Sequence, residues 1–106
     1  MQMHGYEPSV ADELAQVMRD IPEAKASKMF GMPAYKVNGK LAVGLHRDSV
    51  VAKLGAERAK ALIGKPGIQP CEMQGRLWKD WVMLTGDLKQ QRPVIEEAVR
   101  YVAEHS

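Results

Sequence analysis

The chain has 106 residues, of which 45% are hydrophobic and 26% charged, and it carries a formal net charge of +2. This length supports one domain with one modest core, over residues 1–106, and the composition excludes a disordered or fibrous protein. A charge of +2 is too small, by itself, to indicate a nucleic-acid or anionic-membrane partner.

The first predicted element is an amphipathic helix after a frayed segment, residues 1–8. Ser9 and Asp12 have the spacing of a capping box, with Asp in place of the usual Glu. Pro22 prevents the helix from continuing beyond about Asp20, and a polar connection is expected over residues 23–27. The apolar residues at helical spacing are Val10, Leu14, Val17, Met18 and Ile21.

The stretch from Lys28 to Lys53 predicts three strands in succession. Asn38-Gly39, between two apolar runs, is typical of a two-residue hairpin turn, and Arg47-Asp48 marks a second reversal. Gly31 and Pro33 interrupt the first strand and indicate a bulge or bend at a sheet edge. In the second strand, simple alternation places Leu41, Val43 and Leu45 on one face and Ala42 and Gly44 on the other.

The remaining residues predict two helices and two strands. A helix is expected over residues 56–63, ended by Gly64, and a final helix begins with Pro93 and runs to Glu104. Strands are expected over residues 68–73 and 81–84, with a polar loop over residues 74–80. Helices flanking grouped strands predict a two-layer α+β fold, in which helices pack on one face of an antiparallel sheet of about five strands.

Several short motifs together resemble the N-terminal domain of the TfoX/Sxy family. They are Met29-Phe30-Gly31, Gly39-Lys40, Val51-Ala52-Lys53, Met73-Gln74-Gly75-Arg76 and Trp81-Val82, in that order. The resemblance extends from about residue 9 to about residue 103. The run Met32-Pro33-Ala34-Tyr35 departs from the family pattern, which often has a second Gly and an aromatic run there, and it is similar to YdhG-type domains of unknown function.

The resemblance implies a two-layer α+β fold and a regulatory setting, because TfoX/Sxy proteins act in the regulation of competence genes. The first hypothesis is therefore a non-catalytic cytoplasmic interaction module that acts through a protein partner, in transcription or competence-type regulation.

No residue constellation indicates catalysis, a cofactor or a metal. The sequence His46-Arg47-Asp48 is identical to the kinase catalytic tripeptide, but the chain lacks a glycine-rich loop and a downstream Asp-Phe-Gly. These three residues are therefore expected to form a turn and not a catalytic loop. The three histidines, at positions 4, 46 and 105, lack the spacing of metal ligands. Cys71, the only cysteine, is expected to be inert and partly buried, which fits a reducing compartment.

The apolar side chains of the central segment divide into core and surface candidates. Met29, Phe30, Trp81 and Met83 are expected in the core, so Phe30→Ala should lower the free energy of unfolding by about 3–5 kcal/mol. Met32, Tyr35 and Trp78 occur in loop or edge settings. Large apolar groups that remain exposed there often mark contacts.

The candidate partner-binding residues are Met32, Tyr35, Lys36, Lys53, Arg76 and Trp78. Lys53 and Arg76 fall on positions that match the TfoX-like pattern. They would bind an acidic group on a partner or, alternatively, form internal ion pairs with Asp80 or Glu72.

Other functions and locations follow from the same sequence. Direct nucleic-acid binding is an alternative, because Tyr35 with Lys36 and Lys40, and Trp78 with Lys79, pair aromatic and basic groups; a basic patch in the folded protein would favour it. An apolar cavity would favour a small-ligand-binding domain. Homodimerisation of the chain is a further possibility that the sequence leaves open.

The N-terminus has no signal-peptide pattern and no apolar run is long enough to span a bilayer, so a cytoplasmic protein without a membrane partner is expected.

Overall fold

The computed structural model describes residues 6–105, which form three helices and six strands. Positions 1–5, which include His4 and most of the segment expected to fray, lie outside the described residues. In chain order the elements are α1 (Pro8–Arg19), β1 (Lys25–Met29), β2 (Met32–Val37), β3 (Lys40–His46), β4 (Ser49–Lys53), α2 (Ala56–Leu62), β5 (Ile68–Met73), β6 (Arg76–Leu84) and α3 (Arg92–Glu104).

The six strands form one antiparallel sheet in the order β1-β2-β3-β4-β6-β5. The buried residues of all three helices belong to one hydrophobic core, which includes Val43 and Leu45 of β3 and Val82 and Leu84 of β6. The helices therefore cover the same face of the sheet. The predicted α+β fold is confirmed, with six strands rather than five.

The additional strand arises at Phe30-Gly31, where a bulge was predicted. Phe30 and Gly31 have φ values of 54° and 77°, and Met29 is paired with Met32, so these two residues form a tight hairpin turn. The first three residues of β1, Lys25 to Ser27, lie in the segment that was predicted to be a polar connection. The strand β1 is at the edge of the sheet, where one side meets solvent, so it contains Lys and Ser residues. These polar residues gave no apolar pattern from which a strand could be predicted.

A β-bulge changes the predicted faces of β3. Tyr35 is opposite Val43 and Lys36 is opposite Leu41, so Ala42 is an extra residue. Ala42 and Val43 both join the core under the helices, while Leu41 packs on the opposite face of the sheet. Simple alternation was therefore wrong for Leu41 and Ala42, because the extra residue changes the register of the strand.

The predicted loop over residues 74–80 is mostly strand. Gln74 and Gly75, with φ values of 55° and 76°, form another two-residue turn, and β6 begins directly after it at Arg76. The pairing of β4 with β6 ends at Lys53 opposite Trp81, so the β5–β6 hairpin extends beyond β4. Polar residues occur in this extension because β4 does not cover it.

The helices were predicted within a few residues. The N-cap of α1 is Glu7 rather than Ser9: the Glu7 carboxylate accepts hydrogen bonds from the backbone N–H and the hydroxyl of Ser9. Tyr6 pairs with Arg47 beside β4, so residues 6–8 are ordered against the expectation of fraying. Gly64, at φ 103°, follows α2 as predicted.

A second hydrophobic core lies on the face of the sheet without helices, called here the helix-free face. Its buried members are Met29, Ala34, Val51, Cys71, Met73 and Trp81. A Cβ atom on Gly44 of β3 would lie 2.7 Å from the Cε of Met29, so the first hairpin bends closely over this face. Met29 of β1 and Met73 of β5, from opposite edges of the sheet, both belong to this core, so the sheet curves around it.

Candidate functional site

The helix-free face carries four cationic side chains and no acidic one within the described strands. Opposite residues of an antiparallel pair share a face, and residues alternate along each strand. Lys36 follows Ala34 by two residues and is opposite Lys25, and Lys53 is opposite Trp81. Arg76 is opposite Met73, and a register shift of β6 against β5 between Leu77 and Val82 lets Arg76 share this face with Trp81 although the two are five residues apart. Glu72 alternates with Cys71 and Met73, and Asp80 directly precedes Trp81 beside Leu54 of the core under the helices, so neither carboxylate shares the face of these four cations.

Lys25 and Lys36 form a like-charge pair across β1 and β2. Like charges directly opposite each other destabilise a sheet. Within residues 6–105 the ion pairs are Arg58–Glu97, Arg92–Asp20 and Arg92–Glu96, all of which involve helical residues or the C-cap of α1. The alternative of internal pairs for Lys53 and Arg76 is therefore wrong for the described residues, and their ammonium and guanidinium groups are available to an external anion.

Charge is segregated along the whole molecule. The strands and their turns, residues 25–53 and 68–84, contain eight Lys or Arg and three Asp or Glu. Residues 6–24, which hold α1, contain five acidic residues and one Arg. The small net charge therefore conceals a basic sheet and an acidic segment over residues 6–24.

Three aromatic rings connect the two outer hairpins across the helix-free face, and we call them the aromatic cluster: Phe30, Trp78 and Trp81. The ring centroids of Phe30 and Trp78 are 6.1 Å apart, and those of Trp78 and Trp81 are 5.5 Å apart in an edge-to-face arrangement. Trp81 is buried and Trp78 is half-buried. Offset and edge-to-face geometry of this kind stabilises aromatic pairs.

Two large apolar side chains are exposed in the described part of the chain, and both adjoin Trp78. Phe30 is 52% exposed and Leu77 is 54% exposed. The prediction that Phe30 belongs to the core was wrong, because a residue in the centre of a two-residue turn projects away from the sheet. The predictions for Met29 and Trp81 are confirmed, and Met83 is half-buried against the second core.

An apolar groove runs between α2 and the β5–β6 hairpin. It has a volume of about 340 Å³ and is called here the α2 groove. Among the described residues, Lys60 and Lys79 are the charged side chains that line it. The other lining residues are Ala56, Ile63, Pro70, Leu77, Trp78 and Trp81.

The structure brings together four of the six predicted partner-binding residues. Lys36, Lys53, Arg76 and Trp78 all belong to the helix-free face. Met32 has the same parity but is buried, so its predicted exposure was wrong. Tyr35 is on the opposite face of β2 and packs against the core under the helices, where burial raises the pKa of its hydroxyl.

Sequence reasoning missed Lys25, Phe30 and Leu77 as surface contributors. The register that pairs Lys25 with Lys36 was hidden by the unrecognised hairpin between β1 and β2. Leu77 lay in the predicted loop. A Phe-Gly dipeptide between two alternating segments was the available signal, because Gly at the second position fits a tight hairpin turn.

Among residues 6–105, the Cys71 thiol and the His46 imidazole lie apart on the sheet. Burial raises the pKa of the Cys71 thiol to about 11, so the thiol is protonated at neutral pH. His46, whose buried Nδ1 has no hydrogen-bond partner among the described residues, is opposite Ser49, while Cys71 is near the level of Lys53. Ser49 and Lys53 are four residues apart, about 13 Å along a strand, which separates this imidazole from the thiol.

Among residues 6–105, no group of three or more His, Cys, Asp or Glu side chains is arranged to hold a metal ion. No helix of the described chain is long and apolar enough to cross a membrane.

Comparison of the chain with family models, with curated proteins and with solved structures found no match in any of the three.

Proposed function

We propose that this chain is a non-catalytic binding module for a protein partner, and that it binds through the exposed apolar side chains around Trp78. The observation that carries the proposal is the conformation of Phe30. This residue has a φ of 54° in a tight turn and is 52% exposed. A bulky residue at positive φ is an outlier that costs free energy, and strain of this kind concentrates at functional sites.

The β2–β3 hairpin has a turn of the same backbone conformation, formed by residues that are typical of such turns. Asn38-Gly39 has nearly the same φ values, 52° and 81°, with a residue that tolerates the left-handed conformation. Phe30 breaks this local rule and contributes little burial in return. Positions that break a local folding rule without a structural gain are expected at functional sites.

The surroundings of Phe30 support a protein partner. Trp78 and Leu77 extend the apolar surface, and aromatic residues near exposed apolar patches are typical of the centres of protein interfaces. The cations of the helix-free face lie beside this surface and favour an acidic partner. The resemblance to the TfoX/Sxy N-terminal domain supports gene regulation as the setting of this interaction.

A size-exclusion experiment in an extract of the host cells tests the proposal. We expect the tagged wild-type chain to elute in a complex larger than the monomer, and the Phe30→Asn/Leu77→Ser variant to elute as the monomer. Ala15→Ser, at an exposed position on α1, is the control and should retain the complex. Retention of the complex by the double variant would contradict the proposal.

Single-stranded nucleic acid is the second candidate, and the like-charged Lys25–Lys36 pair favours it. Proteins that bind single strands combine a basic surface with aromatic rings on which bases stack. Here Phe30 is the exposed ring, whereas Trp78 and Trp81 are half-buried and buried. Nuclease treatment of the extract separates the two candidates: loss of the large complex on nuclease digestion would favour nucleic acid over protein.

A further inference from the structure

We infer that the α2 groove binds one bulky apolar side chain of an acidic segment in the partner protein. This inference rests on the proposed function and specifies the chemistry of the partner's binding element. The groove is open along Leu77, which is 54% exposed, so a side chain presented by another chain can enter from solvent.

The floor of the groove fits an apolar anchor. Ile63 and Trp78 are half-buried, Trp81 is buried, and Ala56 adds no polar side-chain atom. A site of about 340 Å³ with an almost wholly apolar lining excludes water from an inserted ring or branched aliphatic group. The apolar lining therefore favours a Trp, Phe or Leu side chain as the occupant.

The rim of the groove determines the charge of the flanking residues. Lys60 and Lys79 are exposed on opposite walls, one on α2 and one on β6, and neither takes part in an ion pair with another described residue. Within the described part of the chain, no Asp or Glu lines the groove. A carboxylate on either side of the anchor would meet an unpaired ammonium group, whereas a basic segment would be repelled.

The larger cavity between α2 and α3 provides the contrast. Its volume is about 530 Å³, and it is lined by Glu57, Glu97 and Glu104 together with Arg58 and Arg100. Arg58 and Glu97 already form an ion pair at 2.6 Å across it. The lining of this cavity carries both signs of charge, so it gives no comparable preference for an acidic or a basic ligand.

The α2 groove is continuous with the surface of the proposed function through Trp78. The ring of Trp78 lines the groove and also contacts Phe30. One partner segment can therefore place its anchor in the groove and continue over Phe30. This continuity favours a segment of a protein over a free small molecule, which would fill the groove and leave Phe30 exposed.

Selection of a displayed random-peptide library on the whole chain tests the inference. We expect enriched peptides to share a Trp, Phe or Leu with Asp or Glu close to it. For a synthetic enriched peptide, the Lys60→Glu/Lys79→Glu variant should weaken binding by about tenfold or more in fluorescence anisotropy. The control Lys40→Glu/Lys89→Glu makes the same change in net charge at exposed positions outside the groove and should change the affinity by less than about twofold.

The outcomes separate the inference from the proposed function. Enriched peptides whose binding requires Phe30 but tolerates the Lys60 and Lys79 reversals would overturn the inference and leave the protein-binding function standing. A library that yields no binder would contradict both. Enriched peptides without acidic residues, displacement of the peptide by a small molecule from the host, or dimerisation of the chain through the groove would each overturn the inference. Circular-dichroism melting of every variant establishes that it is folded.

Discussion

At the scale of single residues, exposure and backbone conformation separate the side chains that fold the protein from those that are free to bind. Trp81 and Phe30 belong to the same aromatic cluster, yet Trp81 is 9% exposed and Phe30 is 52% exposed. Phe30 also adopts a φ that favours Asn or Gly. Substitution of Trp81 should therefore cost much more stability than substitution of Phe30.

We expect Trp81→Ala to lower the free energy of unfolding by about 3–5 kcal/mol, because a buried aromatic side chain leaves a cavity. Phe30→Asn should leave it within about 1 kcal/mol of the wild-type value. Relief of the left-handed strain, about 1 kcal/mol, offsets the loss of the ring contact with Trp78, which is of similar size. Urea denaturation measures both. A loss for Phe30→Asn as large as that for Trp81→Ala would show that Phe30 is a core residue.

Cys71 gives a prediction that depends on pH. Its pKa is raised by burial to about 11 in the folded protein, so the unfolded chain loses the thiol proton at a lower pH than the folded chain does. The contribution of the thiol to stability is complete below about pH 9 and is lost as the pH rises to about 11. Urea midpoints across this range should fall more steeply for the wild type than for Cys71→Ala. Parallel pH profiles for the two proteins would contradict the assigned pKa.

At the scale of secondary-structure elements, tight turns and one bulge explain both the success and the failures of sequence reasoning. The α1 and α3 faces and the Asn38-Gly39 turn were predicted because their signals are local: helical spacing, a proline and an Asn-Gly pair. The Phe30-Gly31 turn, the bulge at Ala42 and the early start of β6 were missed. Each depends on pairing with another strand, and pairing partners are not visible in the spacing of apolar residues.

The residues of the candidate site divide in the same way, into those identified from local signals and those whose role depends on strand pairing. Lys36, Lys53, Arg76 and Trp78 were identified from residue type and motif position, and they share one face of the sheet. Lys25 was missed because its importance comes from the Lys36 opposite it. Leu77 was missed because the polar residues around it suggested a loop.

The turn between β2 and β3 provides the test at this scale. Gly39 has a φ of 81°, and a Cβ atom there would meet no heavy atom within 4 Å, so any loss of stability must come from the backbone. We expect Gly39→Val to cost at least about 1–2 kcal/mol and to shift amide resonances from Lys36 to Leu41. Gly39→Asn should cost less, because Asn tolerates positive φ. Equal costs for Val and Asn would contradict the turn assignment.

At the scale of the whole molecule, the separation of charge determines which partners the chain can attract. The sheet is basic and the segment over residues 6–24 is acidic, so charge is unevenly distributed although the net charge is only +2. An acidic protein segment can bind the basic side alone. A DNA duplex presents a long line of phosphates, and the four cations of the helix-free face belong to strands, while the three described helices pack on the opposite face.

We therefore expect duplex DNA to bind weakly and without sequence preference. Tight, specific binding requires several phosphate contacts together with a helix or ribbon that reads base edges. A salt titration followed by fluorescence anisotropy measures both affinity and the number of phosphate contacts. Sub-micromolar, sequence-dependent binding at physiological salt would contradict this expectation and favour direct action on DNA.

The proposed function requires that the surface around Phe30 contacts a protein. Replacement of Phe30 by the photoreactive analogue p-benzoylphenylalanine, followed by irradiation in the host cells, detects such a contact. We expect a discrete adduct that resists nuclease, is digested by protease, and is absent when the analogue replaces Ala15 on α1. Adducts that nuclease removes, or equal adducts from positions 30 and 15, would contradict the claim.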